Sequence, residues 1–257
     1  MRVLITGATG SLGRAILASP SAGALQFRCL SRRSPSVGAS PHVEWVTADL
    51  ASGEGLERAV RDVDTIVHAA SDPARADEVD VRGTRRLIDF ARAARVRHVI
   101  YVSIVGVDRI PYAYYARKLA VEAMLMESGL PISILRATQF HSLIDGLLAR
   151  LARIPLVMPL PARFKVQSVD ECEVAERLLH AIDDGPLGRL RDFGGPEVMT
   201  LATAATTWKR AMRIAKPILP FPLPGRTAAA FRAGENTAPG GDHGRISWRE
   251  WLGSRPA

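Results

Sequence analysis

Residues 3–13 read Val-Leu-Ile-Thr-Gly-Ala-Thr-Gly-Ser-Leu-Gly, a short apolar run followed by three glycines at the spacing G-x-x-G-x-x-G. The apolar run predicts a β-strand and the residues after it a helix, so the glycines make a tight strand-to-helix turn. Such a turn needs backbone conformations that glycine adopts cheaply, and it lets a pyrophosphate approach the helix N-terminus. A glycine-rich turn without a ligand is the alternative, but this context favours a dinucleotide. The predicted cofactor-binding residues of the turn are Gly7, Thr9, Gly10, Ser11, Leu12 and Gly13.

Apolar runs and helical patterns alternate through roughly the first half of the chain. Further strands are predicted at 27–30, 43–46, 64–68, 98–102 and 132–135, with helices at 56–60, 79–94 and 112–127. Repeated units of this kind predict an α/β fold, a doubly wound parallel sheet covered by helices on both faces. Beyond residue 140 prolines become frequent and the alternation fades. We therefore predict an NAD(P)-binding domain at 1–140 and a small C-terminal substrate lobe at 141–257, in which 165–169 and 190–193 are candidate further strands of the main sheet.

The composition excludes several classes of protein. The 257 residues are 47% hydrophobic and 23% charged, which is typical of a globular chain and not of a disordered one. The net charge of +8 comes almost wholly from arginine, with four lysines, and this pattern favours a coding bias over a nucleic-acid partner. Two cysteines cannot build a disulfide framework, and no His/Cys spacing indicates a metal. No segment approaches the ~20 apolar residues of a membrane-spanning helix, so we expect a cytoplasmic protein of undetermined oligomeric state.

The end of the second predicted strand indicates which dinucleotide binds. An acidic residue there would bind the ribose of NAD, but the chain has Arg32 and Arg33, whose guanidinium groups suit a 2′-phosphate. Two solvated arginines in an arginine-rich chain are the alternative, and we predict a preference for NADP(H) over NAD(H). Residues after the third and fourth strands are further cofactor-binding candidates, because parallel strands end at one edge of the sheet: Asp49, Leu50, Ala69 and Ala70.

Tyr114 and Lys118 lie four residues apart on a predicted helix and therefore share one face. With four tyrosines and four lysines in the chain, about 0.06 such pairs are expected by chance. A nearby ammonium lowers the tyrosine pKa from about 10 toward the range in which a phenol acts as acid and base. Ser103, at the end of the preceding strand, could hold a substrate carbonyl oxygen. We predict that all three residues are catalytic, with Tyr114 as proton donor and Lys118 also bound to the cofactor's ribose.

Five short motifs lie along the first half of the chain: Thr-Gly-Ala-Thr-Gly-Ser-Leu-Gly at 6–13, Ala-Asp-Leu at 48–50, His-Ala-Ala at 68–70, Val-Arg-Gly-Thr at 81–84 and Tyr-Tyr-Ala-Arg-Lys at 114–118. Together they resemble the short-chain dehydrogenase/reductase superfamily, and within it the extended and atypical branches, which include sugar-nucleotide epimerase-like and NmrA-like NAD(P)-binding proteins. The resemblance implies a seven-stranded Rossmann sheet. Residues 133–140 resemble the sixth strand and the loop that touches the nicotinamide, which adds Ala137 and Phe140 to the cofactor-binding residues.

Three functions are compatible with these motifs. The first is an NADP(H)-dependent oxidoreductase that transfers a hydride to or from a small carbonyl or quinone-like substrate. The second is a non-catalytic regulator that senses redox state through NADP occupancy, and the third is an accessory subunit related to respiratory complex I. Intact Ser103, Tyr114 and Lys118 favour the enzyme. One departure stands out, because Asp80 occupies a position where the extended branch usually has asparagine.

Overall fold

The computed structural model describes residues 1–23, 25–33 and 41–255. The chain divides into two compact units, each made of several segments. The first comprises Met1–Ser103, Ala113–Leu135 and Ala175–Leu190, and the second comprises Ile104–Tyr112, Arg136–Val174 and Arg191–Ala257. The division into domains at residue 140 stays a prediction about the sequence.

Within the described residues, strands and helices alternate in the order that the sequence predicts. The strands are β1 (Arg2–Thr6), β2 (Gln26–Ser31), β3 (Val43–Thr47), β4 (Thr65–His68), β5 (His98–Ile104), β6 (Ile132–Ala137), β7 (Met158–Leu160), β8 (Lys165–Val166), β9 (Gly188–Arg189), β10 (Phe193–Gly194), β11 (Met199–Thr200), β12 (Ile218–Pro220) and β13 (Asp242–His243). The α-helices are α1 (Ser11–Ala18), α2 (Leu56–Val60), α3 (Gly83–Ala93), α4 (Ala113–Met126), α5 (His141–Ala152), α6 (Glu171–Asp184), α7 (Leu201–Ala211), α8 (Arg226–Ala233) and α9 (Trp248–Gly253).

The first unit is built on one sheet. Its described strands lie in the order β9-β6-β5-β4-β1-β2-β3, and the pairings of β1 with β2 and β4, of β2 with β3, and of β4 with β5 are all parallel. The strands are nearly continuous apolar runs because both faces are covered, and Leu4, Ile66 and Tyr101 pack there with Leu87 of α3 and Leu125 of α4. The predicted α/β fold with a doubly wound, Rossmann-type sheet is confirmed.

The order of the strands reverses between β1 and β4. From β1 the chain proceeds outward to β2 and β3, and it then returns to β4 on the other side of β1. At such a switch point the loops after neighbouring strands diverge and leave a crevice at the carboxyl ends of the strands. The glycine turn after Thr6 and the Ala69-Ala70 segment after His68 border this crevice.

The helix predicted at 79–94 begins differently from the prediction. Residues Asp77–Arg82 form a π-helical turn that leads into α3 at Gly83. A side chain at Gly83 would place a Cβ 2.9 Å from the Leu50 side chain, so the helix packs against the loop after β3 as only glycine allows. A π-turn changes which residues share a face, and it turns Asp80 into the interior, where it is 1% exposed.

The second unit has its own core, in which Leu148, Met158, Trp208 and Trp248 are buried together. Strand β10 pairs with Ala137 at the end of β6, and β13 pairs with β10. The candidate strand at 165–169 does not join this sheet, because β8 pairs instead with β11 in a separate antiparallel ribbon. The candidate at 190–193 is a strand only at its end, where Phe193 begins β10. Among the residues the structure describes, no helix is both long and apolar enough to span a membrane.

Candidate active site

The turn between β1 and α1 has a backbone that requires glycine at two points. Gly7 has φ +77°, and a Cβ there would lie 2.7 Å from the Ala70 backbone nitrogen. A Cβ on Gly13 would collide with the backbone of Gly7 and Ala8, so the helix packs directly on the turn. Gly10 is the N-cap residue of α1 and has no side chain that could cap the first N–H groups of that helix. The turn is therefore a cradle with free N–H groups and a partial positive charge, which fits a pyrophosphate.

One cleft in the first unit collects most of the predicted cofactor-binding residues. Its walls include residues from the glycine turn and from the ends of β2, β3 and β4: Gly7, Thr9, Gly10, Ser31, Arg32, Asp49, Leu50, Ala69, Ala70, Ser71, Asp72 and Val79. Arg33 follows Arg32 and is exposed, and Ser11 is the first residue of α1. Leu12 and Gly13 are buried on the inner side of α1, where they support the turn. These residues fit the phosphates and adenosine side of a dinucleotide.

Two predicted cofactor residues belong to the second unit. Ala137 ends β6, is buried and pairs with Phe193. Phe140 precedes α5 and forms an isolated bridge with Val169. Their contact with a nicotinamide stays a prediction.

Tyr114 is connected to the cleft through a serine. The Tyr114 hydroxyl oxygen lies 2.6 Å from Oγ of Ser71, which is one of the residues lining the cleft. Ser71 Oγ in turn donates to Oδ1 of Asp80 at 2.5 Å, and the Asp72 backbone N–H donates to Oδ2 of the same carboxylate at 3.1 Å. The residue that departs from the asparagine of the extended branch is thus joined to the predicted proton donor.

Lys118 lies one turn further along α4 and is 3% exposed. Its Nζ donates to the Val102 carbonyl oxygen at 2.9 Å and lies 4.3 Å from the centre of the Tyr101 ring. Burial lowers the pKa of Lys118 from 10.5 to about 8, while the carboxylates of Asp80 and Glu122 act in the opposite direction. The ammonium therefore carries its charge at neutral pH and loses it under mildly alkaline conditions.

Ser103 is placed differently from the expectation that it faces a substrate. It is 3% exposed, and its hydroxyl donates to the carboxylate of Glu122, itself buried on α4. Tyr114, Lys118 and Glu122 follow one another at intervals of four residues, so one face of α4 carries all three. In the structure Tyr114 therefore contacts Ser71, and the Ser103 hydroxyl donates to Glu122.

His68 is a packed histidine and not an acid or base. Its Nδ1 lies 2.7 Å from Oγ1 of Thr6, and its Nε2 lies 2.8 Å from Oγ1 of Thr84, so both ring nitrogens are paired. Burial, with a smaller effect from the charge of Lys118, lowers the pKa of His68 to about 3. The neutral ring ties the ends of β1 and β4 to α3 and fixes the floor below the crevice.

Sequence reasoning missed the roles of Ser71 and Glu122. A polar residue directly after a strand that ends at the crevice was the available signal for Ser71. For Glu122 the signal was an acidic residue four positions after Lys118 on an otherwise apolar face. Asp80 was noticed only as a departure from a family pattern.

The second unit contains an apolar groove of about 770 Å³. Its walls are residues 161–164 and 220–224, together with Arg232, and Phe164 stacks on Phe231 with ring centres 5.3 Å apart. Arg163 and Arg232 are the basic residues of its lining. The lobe predicted to set substrate choice thus offers a mainly apolar surface with two guanidinium groups.

The fold and the glycine cradle define a Rossmann-type nucleotide-binding protein. The chain belongs to the NAD(P)H-binding family, whose family model matches residues 7–184. It is 32% identical over 166 residues to the photosystem II assembly factor Ycf39 of Cyanophora paradoxa, a match that covers 61% of this chain and 50% of that protein. The resemblance to extended and atypical short-chain dehydrogenases, including the NmrA-like proteins, is confirmed.

Other relatives have names that refer to enzymes. The chain is 29% identical over 202 residues to (4-alkanoyl-5-oxo-2,5-dihydrofuran-3-yl)methyl phosphate reductase of Streptomyces griseus, which covers 77% of this chain and 69% of that protein. The dTDP-glucose 4,6-dehydratase of Bacillus anthracis, solved in complex with NAD, has the same fold, with a TM-score of 0.77 at 16% identity over 98% of this chain and 94% of that one. The chain spans about half the length of Ycf39, and its own reaction is therefore a separate question.

Proposed function

We propose that the protein is an NADPH-dependent reductase of a small carbonyl or quinone-like substrate. The observation that carries this proposal is the distance of 2.6 Å between the Tyr114 hydroxyl and Ser71, a residue that lines the same cleft as the glycine turn. A phenol on a helix with a buried ammonium four residues away, next to a dinucleotide cradle, is an arrangement suited to proton transfer. The similarity to a protein named as a reductase supports the proposal.

Each residue would have a distinct part in the reaction. Bound NADPH would supply the hydride, which is the chemistry of the cofactor itself. Tyr114 would donate its proton to the substrate oxygen, and Lys118 would bind the ribose hydroxyls while its charge stabilises the phenolate that remains. Gly7 and Gly10 would hold the pyrophosphate against the N-terminus of α1. Ser103 donates to Glu122, so it would act on a substrate only if this hydrogen bond broke, and the proposal gives it no part in the reaction.

The preference for NADPH is part of the proposal. Arg32 lines the cleft at the end of β2, and Arg33 follows it on the exposed side. Guanidinium groups at this point suit the 2′-phosphate of NADPH.

A panel of aldehydes, ketones and quinones, assayed by the loss of NADPH absorbance, tests the proposal. We expect turnover by the wild type and a decrease of at least about 100-fold in kcat for Tyr114→Phe, because general acid catalysis contributes about 10²–10⁴-fold. Tyr112→Phe is the matched control, since Tyr112 is half exposed and carries no lysine four residues on. Equal activity of the wild type and Tyr114→Phe would exclude Tyr114 as the proton donor.

An accessory role is the second candidate, and the similarity to an assembly factor over 61% of this chain favours it. In that case the dinucleotide would stabilise the fold or signal redox state without turnover. Purification of the tagged protein from its own host, followed by identification of the proteins bound to it, tests this role. A stable stoichiometric complex together with no turnover on the panel would support it, and a protein that elutes alone with measurable turnover would exclude it.

A further inference from the structure

The hydrogen bonds around Tyr114 form a chain in which the protons are donated toward Asp80. Asp80 accepts on both carboxylate oxygens, from the Ser71 hydroxyl and from the Asp72 backbone N–H. A serine hydroxyl has one proton to donate, and that of Ser71 is directed to Asp80. In the contact of 2.6 Å between Ser71 and Tyr114, the tyrosine must therefore be the donor.

This direction favours the protonated form of the tyrosine. A phenolate at this position would face the lone pairs of Ser71 and, behind them, the negative charge of Asp80 at a distance of at most about 5 Å. A hydrogen bond that only the neutral form can make, and a nearby like charge, both disfavour ionisation. Asp80 is 1% exposed, so water screens its charge poorly.

The other charged groups around α4 do not cancel this effect. Lys118 on the same face of the helix interacts with Asp80 and Glu122 and donates to the Val102 carbonyl oxygen, so its charge does not act on Tyr114 alone. Arg117 is engaged with the carboxylate of Asp77 on the protein surface. Tyr101 on β5 is buried, and burial, before the charge of Asp80, raises its pKa well above 10, so it remains a neutral phenol.

We propose that Asp80, acting through Ser71, is a positioning residue that holds Tyr114 as a proton donor, so that the site carries the acid needed for reduction and not the base needed for oxidation. The consequence for the direction of the reaction rests on the proposed function, whereas the assignment of Asp80 itself concerns only the protonation of Tyr114. An asparagine at position 80 would reverse the direction of these hydrogen bonds. Its amide could donate to Ser71 and allow the serine hydroxyl to donate to Tyr114. The phenolate would then gain a donor and lose a neighbouring negative charge.

Titration of the cofactor-free protein tests the proposal. The tyrosinate absorbance of the wild type, minus that of Tyr114→Phe, isolates the ionisation of Tyr114. We expect Asp80→Asn to lower the midpoint by about 2 pH units, since a unit charge at 5 Å corresponds to about that shift at an effective dielectric constant of about 20. Asp77→Asn is the matched control, because it removes the same charge from the same helical turn at an exposed site, and we expect a shift below about 0.3 pH units.

A second variant keeps the test decisive if Asp80→Asn fails to fold. Ser71→Ala removes the acceptor of the Tyr114 hydroxyl and leaves Asp80 in place, so the midpoint should also fall, by less than in Asp80→Asn. Circular dichroism over the same pH range identifies a folded variant. A midpoint that stays unchanged or rises in the folded variants would overturn the proposal.

The pH profile of the reaction separates this proposal from the proposed function. Alcohol oxidation with NADP⁺ requires the phenolate, so Asp80→Asn should move its alkaline rise to lower pH by the same amount as the titration. If the titration shifts but neither reaction is catalysed, the reductase function fails and the role of Asp80 stands. If turnover depends on Tyr114 while the titration is unaffected by Asp80→Asn, the role of Asp80 fails and the reductase function stands.

Discussion

Replacement of Lys118 by methionine should change the pH dependence of stability in a way that the structure specifies. Burial lowers the pKa of Lys118 from 10.5 to about 8 in the folded protein. Between these two values the unfolded chain binds a proton that the folded chain does not, so the free energy of unfolding of the wild type rises with pH. At 1.36 kcal/mol for each pKa unit, the buried ammonium costs the folded state about 3 kcal/mol at pH 7, and this cost falls to about 1 kcal/mol at pH 10 and disappears above the unfolded pKa of 10.5.

The methionine side chain does not titrate, so Lys118→Met removes the cost of the buried ammonium from the free energy of unfolding. It also loses the hydrogen bond to the Val102 carbonyl oxygen and the contact with the Tyr101 ring, which offset part of the gain by about 1–2 kcal/mol. We therefore expect Lys118→Met to be about 1–2 kcal/mol more stable than the wild type at pH 7. At pH 10, where about 1 kcal/mol of the cost remains, it should be less stable than the wild type by up to about 1 kcal/mol.

Urea unfolding, followed by tryptophan fluorescence at pH 7, 8, 9 and 10, measures this difference. Cys29 also contributes to the pH dependence, because burial raises its pKa from 9.0 to about 12, but it is present in both proteins and cancels in the comparison. Lys209→Met on α7, where the lysine is partly exposed, is the matched control for the loss of a lysine side chain. A constant difference between Lys118→Met and the wild type from pH 7 to pH 10 would refute the assignment of Lys118 as a buried ammonium.

Two further predictions concern the dinucleotide cleft. Gly7→Ala should weaken NADPH binding at least about 10-fold and lower stability by about 2–3 kcal/mol, because φ is +77° and the new methyl group meets the Ala70 nitrogen at 2.7 Å. Gly146→Ala in α5, where nothing lies within 4 Å of the added methyl, should instead raise stability by up to about 1 kcal/mol in the same thermal unfolding assay. Arg32→Ala should lower the affinity for NADPH by about 10-fold or more and leave that for NADH within about twofold, as measured by fluorescence titration. Equal losses for both cofactors would remove Arg32 from the 2′-phosphate.

The sheet could be predicted from the sequence because its signals are local. Each strand from β1 to β6 is an apolar run bounded by polar or glycine residues, and such a pattern needs no partner to be recognised. The parallel arrangement followed from the alternation with helices. The π-turn before Gly83 could not be predicted in the same way, because it depends on the approach of Gly83 to Leu50 from another part of the chain. The pairing of the short strand β8 could not be predicted either, because its partner β11 lies further along the chain.

The sequence predicts individual residues of the site but not the hydrogen bonds that connect them. The glycine turn and the Tyr114–Lys118 pair are each encoded within a few residues, and both were found from their spacing. The hydrogen bonds between side chains of the site depend on the fold, because Ser71 and Tyr114 are 43 residues apart in the chain and Ser103 and Glu122 are 19 apart. Two serines near the ends of neighbouring strands look equivalent in the sequence. The structure distinguishes them, because Ser71 lines the cleft and contacts the Tyr114 hydroxyl, whereas Ser103 is buried.

These two serine–carboxylate pairs explain why α4 tolerates a buried ammonium. Asp80 and Glu122 both raise the pKa of Lys118 against the larger effect of burial, so the lysine stays charged at neutral pH. Ser71 donates to Asp80 and Ser103 donates to Glu122, so each carboxylate is stabilised by a hydroxyl. Ser71 also contacts the Tyr114 hydroxyl. The buried ammonium costs the folded state about 3 kcal/mol at pH 7, and the two roles proposed for Lys118, binding the ribose and stabilising the phenolate of Tyr114, both need its positive charge or its N–H donors. Lys118→Met should therefore gain stability at pH 7 and lose both NADPH affinity and turnover, whereas a gain in stability with turnover unchanged would remove Lys118 from the reaction.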